Sequence, residues 1–380
     1  MQLEIDDIQA AGLDRAKVED LVDRAQREVD EGRLPSCQLA LARNGVVGAV
    51  TTIGAPATSR YVIFSATKAI VATAMWIVLD EGAVKIDETV AHYIPEFGAN
   101  GKDAITVEQV MLHTSGFPRA PLGPPRWDTR EGRLEAFARW RLNWEPGTHY
   151  EYHPTSAHWV LAELIERTSG VPYTSFVAER VLAPIGLERF QLGVPLDEQA
   201  DICELEKVGE LVSADELEKA IGIRSLPVTD VTAEALLQFN RPEARALGVP
   251  GGGGVSNATD LACFYQALLA GSPPLLSANA LYEFTVHVRN HLKDYMGTSA
   301  NRTLGLVVAG DDGRSQLRGM GRTVSPRAFG HNGAGGQIAF ADPDTGISFV
   351  FLTNGLEQNI LVEGRRTTAI ASRAAACAAT

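Results

Sequence analysis

The stretch that decides the fold is Tyr61-Val62-Ile63-Phe64-Ser65-Ala66-Thr67-Lys68, together with the apolar residues 69–79 that follow it. Residues 61–64 form a short β-like run, and residues 69–79 show the pattern typical of a buried helix. Ser65 is therefore predicted to lie at a helix start, where backbone N–H groups and the helix dipole favour negative charge. Lys68 follows three residues later, on the same helix face.

This pairing of a serine hydroxyl with a lysine suggests an activated nucleophile. A buried Lys68 ammonium can lower the cost of forming the Ser65 alkoxide, or it can give up its proton and act as the base. The alternative is an ordinary N-cap serine followed by a solvated lysine. This is the only S-x-x-K in the sequence, so the choice depends on what the rest of the chain contains.

Length and composition are those of a globular protein. The chain has 380 residues, of which 45% are hydrophobic and 21% charged, enough for two packed domains. It carries 34 basic and 47 acidic residues, a net charge of −13 that disfavours nucleic acid and anionic membrane surfaces. We therefore expect a small-molecule substrate and no nucleic-acid or membrane partner. The oligomeric state is not indicated.

The cysteines and the first residues indicate a compartment. Residues 1–7 lack the basic and apolar regions of a secretory signal, and no stretch reaches transmembrane length. The four cysteines are widely spaced without a C-x-x-C or zinc-ligand pattern: Cys37, Cys203, Cys263 and Cys377. We predict free thiols, no metal site and a cytoplasmic location.

Periodicity predicts strands at both ends of the chain and helices between them. A first helix begins after Asp14 and ends near Gly32, and a hairpin turns at Asn44-Gly45. Residues 70–300 are mostly helical, and β patterns return at 304–308, 337–341 and 347–352 before a last helix over 359–377. The predicted fold class is α/β (α+β), with an antiparallel sheet flanked by helices. An α/β domain of residues 1–75 and 300–380 would hold an inserted helical domain of residues 76–299, with the active site between them.

Four further strings carry a family resemblance. They occur in the order 105–116 (ITVEQVMLHTSG), 146–152 (PGTHYEY), 251–262 (GGGGVSNATDLA) and 329–336 (FGHNGAGG). Together with the S-x-x-K of Ser65 and Lys68, they resemble the class C β-lactamase-like serine hydrolases, including family VIII carboxylesterases. The resemblance runs from about residue 30 to 355 and implies the β-lactamase and penicillin-binding-protein fold.

The resemblance also implies roles for individual residues. Tyr152 falls at the tyrosine of the family's Y-x-N motif, where it would take the proton from Ser65 and return it to the leaving group. The positive charge of Lys68 would favour the phenolate. Tyr150 is the rival from spacing alone. The N–H groups of Ser65 and Ala334 would form the oxyanion hole.

The sequence departs from the family at two places. Pro154 stands where asparagine is expected, which puts lactam binding in doubt and should leave Lys68 one hydrogen-bond partner short. His153 could replace part of that function, or it could be an exposed histidine beside a proline. His331-Asn332-Gly333 stands where β-lactamases have Lys-Thr-Gly, so these three residues are predicted to line the substrate site without a permanent charge.

The sequence thus predicts a serine hydrolase that works through an acyl-enzyme without a cofactor. Small carboxylic esters or lactones are the expected substrates. An amidase, D-peptidase or weak β-lactamase is the alternative, and an inactive binding protein of the same fold is a second. His113 is interpreted as part of a structural turn, and the glycine run at 251–254 is not a phosphate loop because no G-K-[ST] follows it.

Overall fold

The structure is a computed structural model that describes residues 7–225, 231–271 and 273–379. Its α-helices in these ranges are α1 Arg15–Asp30, α2 Thr67–Asp80, α3 Val90–Tyr93, α4 Val107–Met111, α5 Arg130–Arg139, α6 Ser156–Ser169, α7 Tyr173–Val177, α8 Ala214–Ile221, α9 Ala233–Leu237, α10 Pro242–Leu247, α11 Ala258–Ala270, α12 Ala278–Thr285 and α13 Ile360–Ala375. The strands are β1 Cys37–Arg43, β2 Val46–Ile53, β3 Tyr61–Val62, β4 Gln191–Leu192, β5 Glu206–Val208, β6 Gly254–Ser256, β7 Val307–Val308, β8 Phe329–Gly330, β9 Ile338–Asp342, β10 Ile347–Thr353 and β11 Gly355–Glu357.

The main sheet joins strands from the two ends of the chain. Its six strands are ordered β2-β1-β10-β9-β8-β7, and each neighbouring pair is antiparallel. The β1–β2 hairpin turns at Asn44 and Gly45, both with positive φ, as the Asn-Gly pair predicts. The long central pairing places Leu39 opposite Phe351 and Leu41 opposite Phe349, so large apolar residues face each other across the strands.

Both faces of this sheet are covered. Leu39 and Leu41 of β1 lie in a core with the apolar residues of α1 and α13, whereas Ala40 and Ala42 lie in the larger core that contains α2, α6 and α11. The alternation of these residues assigns one side of each strand to each core. The small alanines on the second face let helix α11 approach the strands closely.

Helix α2 passes through the middle of the larger core. Every residue from Thr67 to Val78 is buried, which agrees with a helix that is apolar all round. Residues 64–66 form a 3-10 turn directly before it. A second sheet, ordered β3-β6-β4, holds the approach to this turn, because β3 pairs with β6. The turn that carries Ser65 therefore lies between β3, which pairs with β6, and helix α2.

The observed helices and strands agree with the predicted ones at both ends of the chain. Helices α1 and α13, the hairpin and strands β9 and β10 lie where periodicity predicts them. The middle is less purely helical than predicted, because β4, β5 and β6 lie within residues 70–300. The predicted strand over 304–308 shrinks to two residues, since Gly305 has a φ of 126° and turns the chain. The two-domain division stays a prediction.

Neither a membrane-spanning helix nor a disulfide is found in the described part of the chain. Among the described helices, none combines the length and the apolar character that crossing a membrane requires. The four cysteines, all within the described ranges, are free; Cys37 and Cys377 are buried. Burial raises the pKa of each of these two thiols to about 12, so neither is a reactive thiolate at neutral pH.

Candidate active site

Ser65 lies in the 3-10 turn between β3 and α2 and is partly exposed. The turn is held by two bonds to one glycine: the N–H of Ile63 donates to the Gly254 carbonyl at 2.9 Å, and the Gly254 N–H donates to Thr67 Oγ1 at 2.9 Å. Phe64, directly before the serine, has a positive φ of 45°. A non-glycine residue in this region is strained, and such strain is concentrated at functional sites.

Lys68 is buried within helix α2, and its amine has three neighbours at hydrogen-bond distance. Nζ lies 3.1 Å from Ser65 Oγ and 2.6 Å from the Pro154 carbonyl oxygen, and it also contacts the Gly251 carbonyl oxygen. The two carbonyls can only accept. They therefore take two N–H hydrogens, and the third direction of the nitrogen points at the serine oxygen.

The protonation state of Lys68 decides whether its nitrogen presents a hydrogen or a lone pair to Ser65 Oγ. Burial, and then the positive charge of Arg302, lower the pKa of Lys68 well below 10.5. The amine is driven towards its neutral form, which has two hydrogens and one lone pair. In the ammonium form the third hydrogen is donated to Ser65 Oγ. In the neutral form the carbonyls of Pro154 and Gly251 take both hydrogens, and the lone pair faces Ser65 Oγ. This is the geometry of a general base next to its nucleophile.

Tyr152 lies on the other side of this pair. Lys68 Nζ is 5.1 Å from the centre of its ring, and its hydroxyl is buried without a hydrogen-bond partner in the described residues. Burial raises the pKa of Tyr152 to about 12, although the nearby Arg302 charge and the Ser65 hydroxyl both lower it. The phenol is therefore protonated at neutral pH. This favours Lys68, rather than Tyr152, as the group that first takes the proton of Ser65.

Tyr150, the rival tyrosine, faces a different partner. Its hydroxyl accepts a hydrogen bond of 3.0 Å from Arg302 Nε. The Arg302 guanidinium carbon lies 5.9 Å from the Tyr150 ring centre and 5.2 Å from that of Tyr152. The structure thus brings Tyr152 to Ser65 and Lys68, and it places Tyr150 on the far side of an arginine.

His331 is buried beside Tyr152, with their ring centres 6.0 Å apart. Its backbone N–H donates to the Tyr265 hydroxyl at 3.0 Å, and its ring Nδ1 donates to the Asn332 carbonyl at 2.9 Å. Nε2 is buried and has no partner in the described residues. Burial and the charges of Arg302 and Lys68 lower the pKa of His331 well below 6.5, so it is neutral. Asn332 is exposed.

Gly333 and Ala334 bring the strand-side loop against the serine turn. A Cβ at Gly333 would collide with the Ile63 carbonyl oxygen, so only glycine lets the two segments approach this closely. The N–H groups of Ser65 and Ala334, which are the predicted oxyanion hole, therefore lie on adjoining segments.

The environment of His153 differs from the one that the sequence predicts. It is fully buried rather than exposed. Its Nδ1 donates to the Glu151 carbonyl at 2.6 Å, and its Nε2 accepts from the Phe117 N–H at 3.2 Å, with Ser115 Oγ at 3.1 Å. Burial lowers its pKa to about 3. Both ring nitrogens are used inside the protein, which leaves none for the substrate contact predicted for His153.

The expected shortage of partners for Lys68 is also wrong. Pro154 has no side-chain amide, but its backbone carbonyl oxygen accepts a hydrogen bond of 2.6 Å from Lys68 Nζ. Gly251 supplies the other acceptor, and a Cβ there would come within 3.4 Å of Lys68 Nζ. The glycine run was recognised in the sequence, but backbone carbonyls carry no residue-type signal, so this contact could not be predicted.

Two further residues near the site were missed. Arg302 is 5% exposed, and His158 is 3% exposed with both ring nitrogens unpaired in the described residues. Burial, and then the charge of Lys68, lower the pKa of His158 well below 6.5. Neither residue lies in a motif of the sequence. In the described ranges, His, Cys, Asp and Glu side chains form no group of three suited to a metal ion.

Comparison with known proteins places this geometry in a family. The sequence matches the family described as Beta-lactamase over residues 17–372. The chain belongs to the beta-lactamase family. It is a serine hydrolase of the β-lactamase and penicillin-binding-protein fold, as the sequence analysis predicts.

Individual relatives of this beta-lactamase family protein differ in activity. It is 28% identical over 320 residues to the esterase/beta-lactamase LipL of Mycobacterium tuberculosis, covering 79% of this chain and 70% of that protein. It is 24% identical to a putative D-alanyl-D-alanine carboxypeptidase of Escherichia coli K12, covering 73% of this chain but less than two thirds, 64%, of the relative. The crystal structure of a family VIII carboxylesterase matches with a TM-score of 0.76 and 24% identity, covering 98% of this chain and 100% of that one.

Proposed function

We propose that this protein is a carboxylesterase that hydrolyses small esters or lactones through an acyl-enzyme on Ser65. The observation that carries the proposal is the Lys68 amine, whose two carbonyl acceptors leave its third direction to Ser65 Oγ at 3.1 Å. An inactive binding protein would have no need for a buried lysine aimed at a serine, because burying an amine is costly. The relationship to an esterase/beta-lactamase supports the same class.

The mechanism follows from the bonding of each group. Neutral Lys68 takes the proton of Ser65 as Oγ attacks the ester carbonyl. The developing oxyanion binds the N–H groups of Ser65 and Ala334. The protonated Tyr152 then gives its proton to the departing alkoxide and recovers one from Lys68. Water repeats the sequence on the acyl-enzyme, and no cofactor takes part.

Esters are preferred over lactams for reasons of chemistry at two positions. Pro154 offers a carbonyl to Lys68 but no amide N–H to a lactam side chain. His331, neutral and buried, gives no permanent charge for a carboxylate beside the scissile bond. Each lost contact costs on the order of 1–3 kcal/mol, so the two together reduce kcat/KM for penicillins by roughly 30-fold to 25,000-fold.

The second candidate is an amidase or D-peptidase, which the similarity to a putative D-alanyl-D-alanine carboxypeptidase favours. The acylation groups serve esters and amides alike. The two differ in the leaving group, since an amide nitrogen must be protonated as it departs. Amide turnover therefore depends more strongly on the Tyr152 proton than ester turnover does.

The deciding experiment compares four substrate classes on one preparation. We expect p-nitrophenyl butyrate and a simple lactone to be hydrolysed readily, and D-amino acid amides, nitrocefin and benzylpenicillin slowly or not at all. Ser65→Ala is the background, and Ser115→Ala, which removes another buried hydroxyl of the same region, is the matched control. A penicillin or amide kcat/KM equal to the ester value would refute the ester preference.

The nucleophile is tested separately. A fluorophosphonate probe followed by peptide mass spectrometry is expected to place the adduct on Ser65. An adduct on Ser115 or Ser256 would overturn the assignment.

A further inference from the structure

Arg302 is a buried cation that has no carboxylate partner in the described part of the chain. It is 5% exposed, and within the described residues no carboxylate forms an ion pair with it. Nε donates to the Tyr150 hydroxyl at 3.0 Å, and Nη1 is buried without any partner. An unpaired buried charge is strongly destabilising. By contrast, the buried Arg318 nearby is paired with Asp312 and two backbone carbonyls.

The position of Arg302 is rigidly set. Its backbone pairs with Asn290 in both directions, at 3.0 and 3.1 Å. Its guanidinium contacts the faces of two tyrosine rings, with the carbon 5.2 Å from the Tyr152 ring centre and 5.9 Å from that of Tyr150. Contact with a ring face stabilises a guanidinium modestly, which does not replace a counter-ion. The arginine is held beside the tyrosine that the proposed mechanism uses.

The other titratable groups around Lys68 and Tyr152 supply no negative charge at rest. His113, from the turn after α4, His158, from α6, and His331, after β8, all have pKa values well below 6.5 because they are buried and lie near Arg302 and Lys68. His153 is neutral for the same reason of burial. Among the described residues around Lys68 and Tyr152, Arg302 is therefore the group that carries a permanent charge.

We propose that Arg302 is a positioning residue for acyl transfer. Its guanidinium and the Lys68 amine both lie against the Tyr152 ring, at 5.2 and 5.1 Å from the ring centre, so its fixed charge repels the Lys68 ammonium and favours transfer of the captured proton to Tyr152. The inference rests on the proposed function of Ser65.

Acylation by this route involves three proton transfers. The Ser65 O–H bond breaks, its proton goes to the Lys68 lone pair, and Oγ bonds to the carbonyl carbon while the carbonyl electron pair moves to oxygen. When the ester C–O bond breaks, the alkoxide takes the Tyr152 proton, and the phenolate takes the proton held by Lys68. Arg302 repels the Lys68 ammonium and attracts the Tyr152 phenolate, so it favours transfer of the proton from Lys68 to Tyr152.

The test compares Arg302→Gln, which removes the charge, with Arg302→Lys, which retains it. For a neutral ester, Arg302→Gln is expected to lower kcat at pH 7 by roughly 10- to 100-fold with KM nearly unchanged, and to move the acid limb of the pH–rate profile to higher pH. Arg302→Lys should restore the position of that limb. Arg318→Gln is the structural control, because Arg318 braces the same loop through Ser299 and Ala309. It should lower thermal stability without moving the limb.

A second measurement does not depend on turnover. The chain has seven lysines, so side-chain NMR of lysine-labelled protein can follow Lys68, assigned with Lys68→Met. Arg302→Gln is expected to raise the pKa of Lys68, whereas Arg318→Gln should not. An unchanged Lys68 pKa overturns the inference whether or not the protein hydrolyses esters.

Two other outcomes are informative. If wild type shows no Ser65-dependent turnover while Arg302→Gln still raises the pKa of Lys68, the proposed function fails and the electrostatic role of Arg302 stands. If Arg302→Gln raises KM only for esters that carry a carboxylate and leaves kcat for neutral esters unchanged, Arg302 is a substrate-anion receptor. That result overturns the positioning role.

Discussion

Replacing Gly251 with alanine perturbs the two carbonyls that orient the Lys68 amine. A Cβ at this position would lie 2.9 Å from the Pro154 carbonyl oxygen and 3.2 Å from Thr155 Cα. Both are backbone atoms, so the contact is relieved only if residues 154–155 or the glycine run moves. Either movement shifts a carbonyl that accepts from Lys68. Gly252→Ala is the matched control, since its nearest neighbours are 3.8 Å away.

The magnitude follows from the hydrogen bonds at risk. Leaving one buried donor of Lys68 unsatisfied costs about 1–3 kcal/mol, which corresponds to roughly 5- to 150-fold in kcat/KM if the productive geometry loses that amount. Forcing an extra methyl into a packed region also destabilises the fold by about 1–3 kcal/mol. We therefore expect Gly251→Ala to be folded, somewhat less stable and strongly impaired.

The assay is hydrolysis of p-nitrophenyl butyrate, with thermal unfolding of both variants measured in the same buffer. Gly252→Ala should keep activity near that of wild type and lose little stability. If Gly251→Ala is folded and as active as Gly252→Ala, the carbonyls of Pro154 and Gly251 do not orient the Lys68 amine for catalysis, and the mechanism proposed for Lys68 is wrong.

Three other outcomes are expected. Tyr152→Phe and Lys68→Met should each lower kcat strongly, and the double variant should be little worse than either, because the effects of residues that act as a unit are not additive. Tyr150→Phe should lower kcat less than Tyr152→Phe. A larger loss of kcat in Tyr150→Phe would show that Tyr150 is the tyrosine that acts. Stability to urea should fall as the pH is lowered from 7 to 5, because four buried histidines bind protons only after unfolding, and each lowers the free energy of unfolding by up to about 1.4 kcal/mol per pH unit. Glu363, whose pKa burial raises to about 7, has the opposite effect and offsets one histidine. Stability that is flat or rises on acidification would contradict this. Thiol titration of denatured, unreduced protein should detect all four cysteines, and a loss of two would show a disulfide.

Local patterns in the sequence were sufficient for much of the fold. Asp14 caps α1 by accepting from the Lys17 N–H, as its position before an amphipathic run predicts. The Asn44-Gly45 turn sets the β1–β2 hairpin because both residues adopt positive φ. The apolar run after Lys68 becomes a helix buried on all sides. Each of these depends on residues within one element, so the chain alone carries the information.

Contacts between distant segments were harder to predict. Gly251 and Pro154 meet Lys68 through backbone carbonyls, which every residue possesses, so no residue type marks them. Arg302 lies outside every motif, and burial of an arginine without a carboxylate runs against the usual preference of charged residues for the surface. His153 was misjudged for a related reason, since its burial depends on Phe117 and Glu151 presenting backbone groups to both ring nitrogens.

Pro154, which stands where the resemblance to class C β-lactamases leads us to expect asparagine, separates two tasks that an asparagine side chain would combine. A side-chain amide offers an oxygen to the lysine and an N–H to the substrate, whereas a backbone carbonyl offers only the oxygen. In this chain the oxygen remains, at 2.6 Å from Lys68 Nζ, so the base keeps both of its acceptors. The N–H is gone, and proline cannot supply one from its backbone either. We therefore expect activation of Ser65 to be retained and recognition of an amide-bearing substrate to be weakened, which is the combination that the proposed ester preference requires.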